Sequence, residues 1–449
     1  MLTTLTVDIG DPTANDPGDN LYAQISEAVA VASPGDKIKV HAGTYFPFVV
    51  NTDNLTIREA RRNSNPVIDG DLNLGDENGV EVHASGVTIR GLAVRNASGF
   101  GFPNGHGFLV TGNNNTLTGN TASGNVQFGF FLLNGSDGNT LKGNTASDNR
   151  HGFFLNVSDG NTLQGNTSSD NDNGFLLSDG SDGNTLQGNT ASGNVFLGFR
   201  LSGSDNNTLQ GNTASDNGSV GYSLSFSDGN TLTGNTASGN GRQGFTFVVS
   251  AGNTLQGNRA SDNGSDGFTL LGSDNNTLEH NWALFNQGNG FVVSFFSSPV
   301  PFPLSTGNTL TGNTADGNGF VLGRLHISVG SDSNTLTGNT ASGNGGDGFF
   351  LSGSSDNNTL QGNRAIHNSG DGFLVGGSDN NTLERNWAMF NHGNGFALAG
   401  GSDNNTLERN KALFNDGYGI LVDAVMANLF ENNFCLFNGL GGSNQPGIC

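Results

Sequence analysis

From Asn115 onward the chain is built on one short phrase. The run Asn115-Thr116-Leu117-Thr118-Gly119-Asn120-Thr121-Ala122-Ser123-Gly124-Asn125 recurs with its Asn-(Thr)-Leu start at Asn139, Asn161, Asn184, Asn207, Asn230, Asn253, Asn276, Asn308, Asn334, Asn358, Asn381 and Asn405, and degenerately at Asn428. The spacing is 22 to 24 residues, except 32 after Asn276 and 26 after Asn308. Self-similarity at a short fixed period means a repeat architecture, in which no unit buries its apolar face alone. Within a repeat, short alternating apolar runs are separated by Gly, Asn, Asp and Ser. That is strand–turn grammar at period 2, with no helical stripe. A leucine-rich repeat would need several Leu and a helix per unit.

The expected fold is therefore all-β: a right-handed, single-stranded parallel β-helix of roughly sixteen coils, each repeat forming one coil. Handedness follows from the rarity of left-handed crossovers. Leu117, Ala122, Phe108 and Leu133 are expected to point inward, and Thr118 and Thr121 outward. Asn120, Asn144, Asn166, Asn189, Asn212, Asn235 and Asn258 are expected in one column at the strand spacing of about 4.8 Å. Stacked amides there bond up and down, and Asn tolerates the left-handed backbone of a tight corner.

Three segments are expected: an N-terminal cap over 1–50, the β-helix over 51–434 and a C-terminal tail over 435–449. Asp19 to Ala32 has the apolar spacing of an amphipathic helix and leads through Ser33-Pro34-Gly35-Asp36 into a strand at Lys37–Val40. Such a helix covers the open edge of a first coil. Strands are expected at Leu55–Ile57, Val67–Gly70 and Val87–Ile89. The segment from Phe295 to Leu304, apolar and Pro-rich, breaks the repeat and is expected to leave the rod as a loop, a lid or an oligomer contact.

The only cysteines are Cys435 and Cys449. A disulfide pinning the tail over the last coil fits an oxidising compartment. The alternative is two free thiols, with Cys435 standing where other repeats carry Ala. A net charge of −22, with 17 Lys+Arg against 39 Asp+Glu, excludes an extended basic face for nucleic acid or anionic membrane. No apolar run reaches membrane-spanning length, and no signal peptide is visible. The expected location is secreted or at the cell surface.

Aligned repeats let columns be read. The residue before each Gly-Phe is His106, Phe128, His151, Asn173, Leu197, Val220, Gln243 and Asp266. His106 and His151 thus share a column about 10 Å apart. Arg150 precedes His151, Lys142 lies on a strand leading to it, and Phe131 and Phe154 occupy outward positions beside them. A cationic, aromatic-lined groove suits an acidic polysaccharide: His moves a proton near neutral pH, and Arg or Lys neutralises a uronate carboxylate so that the C5 proton becomes removable. Phe128 and Arg242 are further candidate substrate contacts, and a second surface carries Arg259 and Trp282, and later Arg364, Trp387 and Lys411; exposed indoles flanked by cations stack on sugars or cover one another. No organic cofactor is implied. Asp137, Asp159, Asp182, Asp205 and Asp228 share one turn and are weak Ca²⁺ candidates. Three Met and eight scattered His offer no soft-ligand cluster for copper, which some repeat proteins of this kind are described as binding.

Ile25-Ser26-Glu27-Ala28-Val29, Pro34-Gly35-Asp36-Lys37-Ile38 and Ala42-Gly43-Thr44-Tyr45 resemble the N-terminal signature of pectate-lyase-like right-handed β-helix proteins. Ser98-Gly99-Phe100-Gly101-Phe102-Pro103-Asn104-Gly105-His106 is similar to the Tyr-Gly-Phe-Asp-Pro-His motif of secreted mannuronan C5-epimerases. Asp148-Asn149-Arg150-His151-Gly152-Phe153 resembles their Asn-Asp-Arg-His-Gly-Phe motif. The resemblance implies C5-epimerase or lyase chemistry, with His106 and His151 as acid/base groups and Arg150 on the substrate carboxylate. The family's Tyr falls on Phe100, and its motif Asp has no counterpart in Pro103 or Asn104. A non-catalytic carbohydrate-binding or surface-structural β-helix stays open beside the enzyme.

Overall fold

The repeat closes into a coil because its turns are chemically fixed. In the coil from Asn139, Thr140–Lys142 enters the first of three sheets, Gly143 and Asn144 turn the chain, Thr145–Ser147 enters the second, and His151–Asn156 the third. Gly143 sits at φ +61°, the left-handed conformation that L side chains avoid. Within each unit, described coils pair in parallel with the next, residue for residue: Leu117 with Leu141 and Leu163, Ala122 with Ala146 and Ser168. The computed structural model is an all-β right-handed parallel solenoid of about 17 turns. It describes residues 3–14, 20–72, 77–99, 104–295, 304–319, 325–328, 330–423 and 427–449. Phe100 and all but the ends of the 295–304 segment lie outside these residues.

The chain divides into two compact units, Met1–Gly218 and Ser219–Cys449. In the first, helix α1 (Ile25–Val31) buries Ile25, Ala28 and Val29. It is shorter than its sequence pattern predicts. Leu21–Tyr22 forms a strand instead, because Gln24 and Glu27 make a capping box that starts the helix there. Strand Thr4–Val7 pairs with Lys37–Val40, closing the first coil. The three strands expected beyond the cap are found at Thr56–Glu59, Val67–Asp69 and Thr88–Arg90, each with an end one or two residues from expectation.

Inside, Leu117, Leu141, Leu163, Leu186 and Leu209 are fully buried, and Phe108, Phe130, Phe153, Phe175 and Phe199 form a column of parallel rings 4.7–4.8 Å apart. The amides form a ladder at each of the three corners, not at one alone. Asn139 N–H bonds Asn161 Oδ1 at 2.8 Å, Asn144 N–H bonds Asn166 Oδ1 at 2.9 Å, and Asn149 N–H bonds Asn171 Oδ1 at 2.9 Å. Each buried side chain thus satisfies a backbone donor that the corner would otherwise leave unpaired.

The second unit repeats this grammar, with stacks at Phe245–Phe268–Phe291 and Phe349–Phe373–Phe396. Cys435 pairs opposite Ala412 in the last coil and is bonded to Cys449, so the tail is tied to the core column. No helix among the described residues is long and apolar enough to cross a membrane.

Candidate functional site

On the outside of the third sheet of the first unit, polar residues give way to an apolar patch. Alternation along the strand points Phe130 and Leu132 inward and Phe131 and Leu133 outward. Leu133 therefore belongs to the outer face, against the sequence expectation. Leu109, Phe128, Phe131 and Leu133 nonetheless bury one another, with half-buried Phe154 packed on them. Phe131 is only 1% exposed, so it is a wall beneath the surface and not a contact residue.

His106 and His151 stand in this patch with Phe128 between them. The His106 ring stacks on Phe128 at 4.8 Å and Phe128 on His151 at 4.9 Å, so the histidines are two coil steps apart. His106 is buried, and burial pushes its pKa down to about 4. Its Nδ1 accepts the Phe128 N–H at 3.4 Å, leaving the ring proton on Nε2, which is buried without a partner among the described residues. His151 is half-buried, and burial, then the neighbouring Arg150 charge, also holds it down at about 4. Asn173 Oδ1 accepts the Leu197 N–H at 3.2 Å, which turns its Nδ2 toward His151 Nδ1 at 3.2 Å. His151 Nδ1 is thereby an acceptor, and the proton sits on Nε2. Both imidazoles are neutral N–H donors at neutral pH.

Substituting His106 tests this state. An unfolded chain protonates the histidine near 6.5, the folded one only near 4. Folding stability supplied by the neutral ring is thus full above 6.5 and is lost as pH falls toward 4. In His106→Phe, which keeps the stack, the acid loss should shrink by up to about 3 kcal/mol between pH 7 and pH 4. Paired urea titrations at the two pH values give the number; equal acid loss in both proteins would show a solvated ring.

Arg150 is exposed, its guanidinium donating to Gln127 Oε1 at 3.2 Å. Lys142 does not join it. Its strand lies in the first sheet, in register with Thr118 and Gln164, while His151 is in the third. The cation that does join is Arg200, which the column reading passed over. It follows Phe131, Phe154 and Leu176 in register, and its charge is felt at His151. Aligning the second outward position, not only the residue before Gly-Phe, would have found it. Phe154, Leu176, Ser178, Asp179 and Arg200 line a groove of about 230 Å³.

The other candidates lie elsewhere. Arg242 is in an exposed turn of the second unit. Trp282 and Trp387 are on the second sheet of that unit, and Trp387 is enclosed by its own neighbours, with Arg364 5.6 Å and Lys411 4.6 Å from the ring. The turn aspartates form another ladder: Asp137 Oδ1 accepts the Asp159 N–H at 2.7 Å and Asp159 Oδ1 the Asp182 N–H at 2.8 Å. Among the described residues, no three His, Cys, Asp or Glu side chains gather to hold a metal ion. Burial raises the carboxyls of Asp266 and Asp371, but each is tied to the backbone N–H and amide of the Asn in the next coil, Asn289 and Asn394.

Family comparisons agree with this architecture. A right-handed beta helix region matches residues 197–324. The family described as periplasmic copper-binding protein (NosD) matches 63–225 and 298–439, well over half of the sequence, and the chain belongs to it. No curated protein sequence matches the chain. Among solved structures it is similar to the A-module of the mannuronan C-5 epimerase AlgE4 of Azotobacter vinelandii, with 14% identity, 94% of this chain and 92% of that one covered, and a TM-score of 0.38. A rhamnogalacturonan lyase gives 15% identity, 70% and 82% coverage, and a TM-score of 0.38. The catalytic unit of a GH87 alpha-1,3-glucanase from Streptomyces thermodiastaticus gives 15% identity, 79% and 68% coverage, and 0.45. These are polysaccharide-acting β-helix proteins, and at such values the likeness is one of fold.

Proposed function

We propose that the first unit binds an acidic, uronate-containing polysaccharide in the groove lined by Phe154, Leu176 and Arg200, beside His151, and that it holds the chain without turning it over. The observation that carries this reading is the Asn173 amide held against His151 Nδ1. Removing a C5 proton needs a bare ring nitrogen facing the sugar, and the bare nitrogen here is engaged by Asn173. The Nε2–H is instead a donor to a carboxylate or hydroxyl. Arg150 and Arg200 supply positive charge, and Phe154 and Leu176 an apolar floor. Epimerase or lyase chemistry remains the second reading, favoured by the Arg150-His151-Gly152-Phe153 motif.

Copper, named in the family description, has no part in this reading. Soft thiolate or thioether groups and clustered imidazoles hold that metal. Here both cysteines form the disulfide, Met389 is the one methionine described, and His41, His83 and His392 are paired with Asp8, Glu81 and Asp416. The described residues do not fit a copper site. The family description and the disulfide together support a periplasmic or secreted location.

Binding of polymannuronate, polyguluronate and pectate by affinity electrophoresis tests the proposal. Saturable binding should weaken about tenfold in Arg200→Ala and fall with added salt. Ultraviolet absorbance of unsaturated ends, or C5 inversion by proton NMR, would replace it with the enzyme; no binding to any of the three would sink both.

A further inference from the structure

In regular coils the second sheet presents small outward residues, as in Thr190-Ala191-Ser192. The second unit departs from this in bands. The coil of Trp282 carries His280, Trp282, Leu284 and Phe285 outward, all exposed but the half-buried Leu284. The next two coils carry almost nothing: Thr314 and Asp316, then Thr340 and Ser342, flanked by glycines at both corners. Large side chains return with Arg364, Ile366 and His367. Register alone therefore leaves a recess two coils wide, with roughly 14 Å between its ridges.

One corner makes the recess specific. The column there reads Phe285, Gly317, Gly343, His367, Phe390, Phe414, Phe437. From His367 on it is a ladder of parallel rings 5.0–5.1 Å apart. At Gly317 and Gly343 two rungs are missing. Phe285, 58% exposed, leans over Gly317 so closely that a Cβ there would meet its ring at 2.6 Å. His367 ends the ladder on the other side, one face on Phe390 and the other toward Gly343. At this corner lies a cavity of about 440 Å³, walled by Phe285, floored by Gly317, Gly319, Gly343 and Gly345, and rimmed by Gln287 and Ser369.

We propose that this gap is a binding site for a neutral hexopyranose chain lying along the strands of the second sheet. The apolar faces of such sugars match the Phe285 ring in the cavity and the exposed Trp282 and His367 on the two ridges beside it, and their hydroxyls match Gln287 and Ser369 at the rim and Thr314 and Thr340 along the recess. Charge selects against an acidic glycan. Asp316 lies on the floor and Glu279 on the ridge, and among the described residues Arg364 on the far ridge is held over Trp387. The site is separate from the uronate groove of the first unit and does not depend on it.

The two tryptophans make the test direct. In a Trp387→Phe background, Trp282 is the sole indole. Its emission should change saturably with at least one of cellohexaose, laminarihexaose and mannohexaose, and not with a mannuronate hexasaccharide. Gly343→Phe restores one missing rung. The backbone accommodates it because Phe285, Phe390 and Phe414 occupy the same column at φ +55°, +57° and +56°, and the one close contact, Asp316 Oδ1 3.3 Å from the new Cβ, is a side-chain end that gives by a few tenths of an ångström. This variant should keep its thermal midpoint and bind at least about tenfold more weakly, and Phe285→Ala should weaken binding similarly. No response to any neutral hexasaccharide, a preference for the mannuronate probe, or full affinity in a folded Gly343→Phe protein would each overturn the proposal.

Discussion

Replacing Asn166 by Ala should cost about 3–6 kcal/mol of stability, far more than its size implies. Its Oδ1 accepts both the backbone N–H and the Nδ2 of Asn144, at 2.9 and 3.1 Å, and its Nδ2 donates to Leu141 O at 2.8 Å and Asn189 Oδ1 at 2.9 Å. The substitution strands two donors and a carbonyl where no water reaches, and each orphan costs about 1–3 kcal/mol. Asn166→Asp should be worse at pH 7 despite near-identical shape. A carboxylate would face the Leu141 carbonyl and the Asn189 amide oxygen, acceptor against acceptor, with a buried charge added. Its deficit should shrink on acidification as the carboxyl regains a proton to donate. Urea midpoints of both variants at pH 7 and pH 4 check the order; equal losses at both pH values would mean that the ladder is filled space and not a hydrogen-bonded rail.

Phe153→Ala is the second large effect. Phe153 is fully buried between Phe130 and Phe175, at 4.8 and 4.7 Å, with rings 3° and 5° from parallel. Truncation removes apolar contact on both faces and leaves a cavity that strands pinned above and below cannot collapse, a loss of about 3–5 kcal/mol. Phe154→Ala, one residue on but outward and half-buried, should lose less than half as much and instead impair glycan binding. A repeat array unfolds by units, so amide exchange in the flanking coils is the sharper readout. Uniform loss of protection across the first unit, with none concentrated beside residue 153, would contradict the local-cavity account.

Much of this fold is legible in the sequence because each coil repeats the same local decision. Leu117, Ala122 and Asn120 carry their orientation in the period, and the stacked Asn were predicted from spacing alone. The helix start was missed because the Gln24–Glu27 box is a side-chain arrangement that apolar spacing does not encode. The candidate site was less legible. Column alignment brought His106 and His151 together, since they share a register. It could not exclude Lys142, because sequence proximity hides which face of the coil a strand joins. Nor could it show that Leu197, through its backbone N–H, turns the amide that fixes the His151 tautomer. Trp387 looked available as an isolated letter, yet its neighbours one coil away on each side, Arg364 and Lys411, occupy its faces.

The corner amides also separate two properties that most domains keep linked, the length of a segment and the position of whatever follows it. Between Asn253 and Asn276 the chain takes 23 residues to complete a circuit, and between Asn276 and Asn308 it takes 32, yet the amide bonds closing the two circuits are the same, 2.8 and 3.1 Å. The added length enters between strand Phe291–Ser294 and Asn308, and nothing downstream is displaced by it. A molecule built this way keeps its bookkeeping at three points per turn and is indifferent to what happens between them. Length can thus be added to a circuit without moving the circuits that follow, so the frame and its surface can change independently.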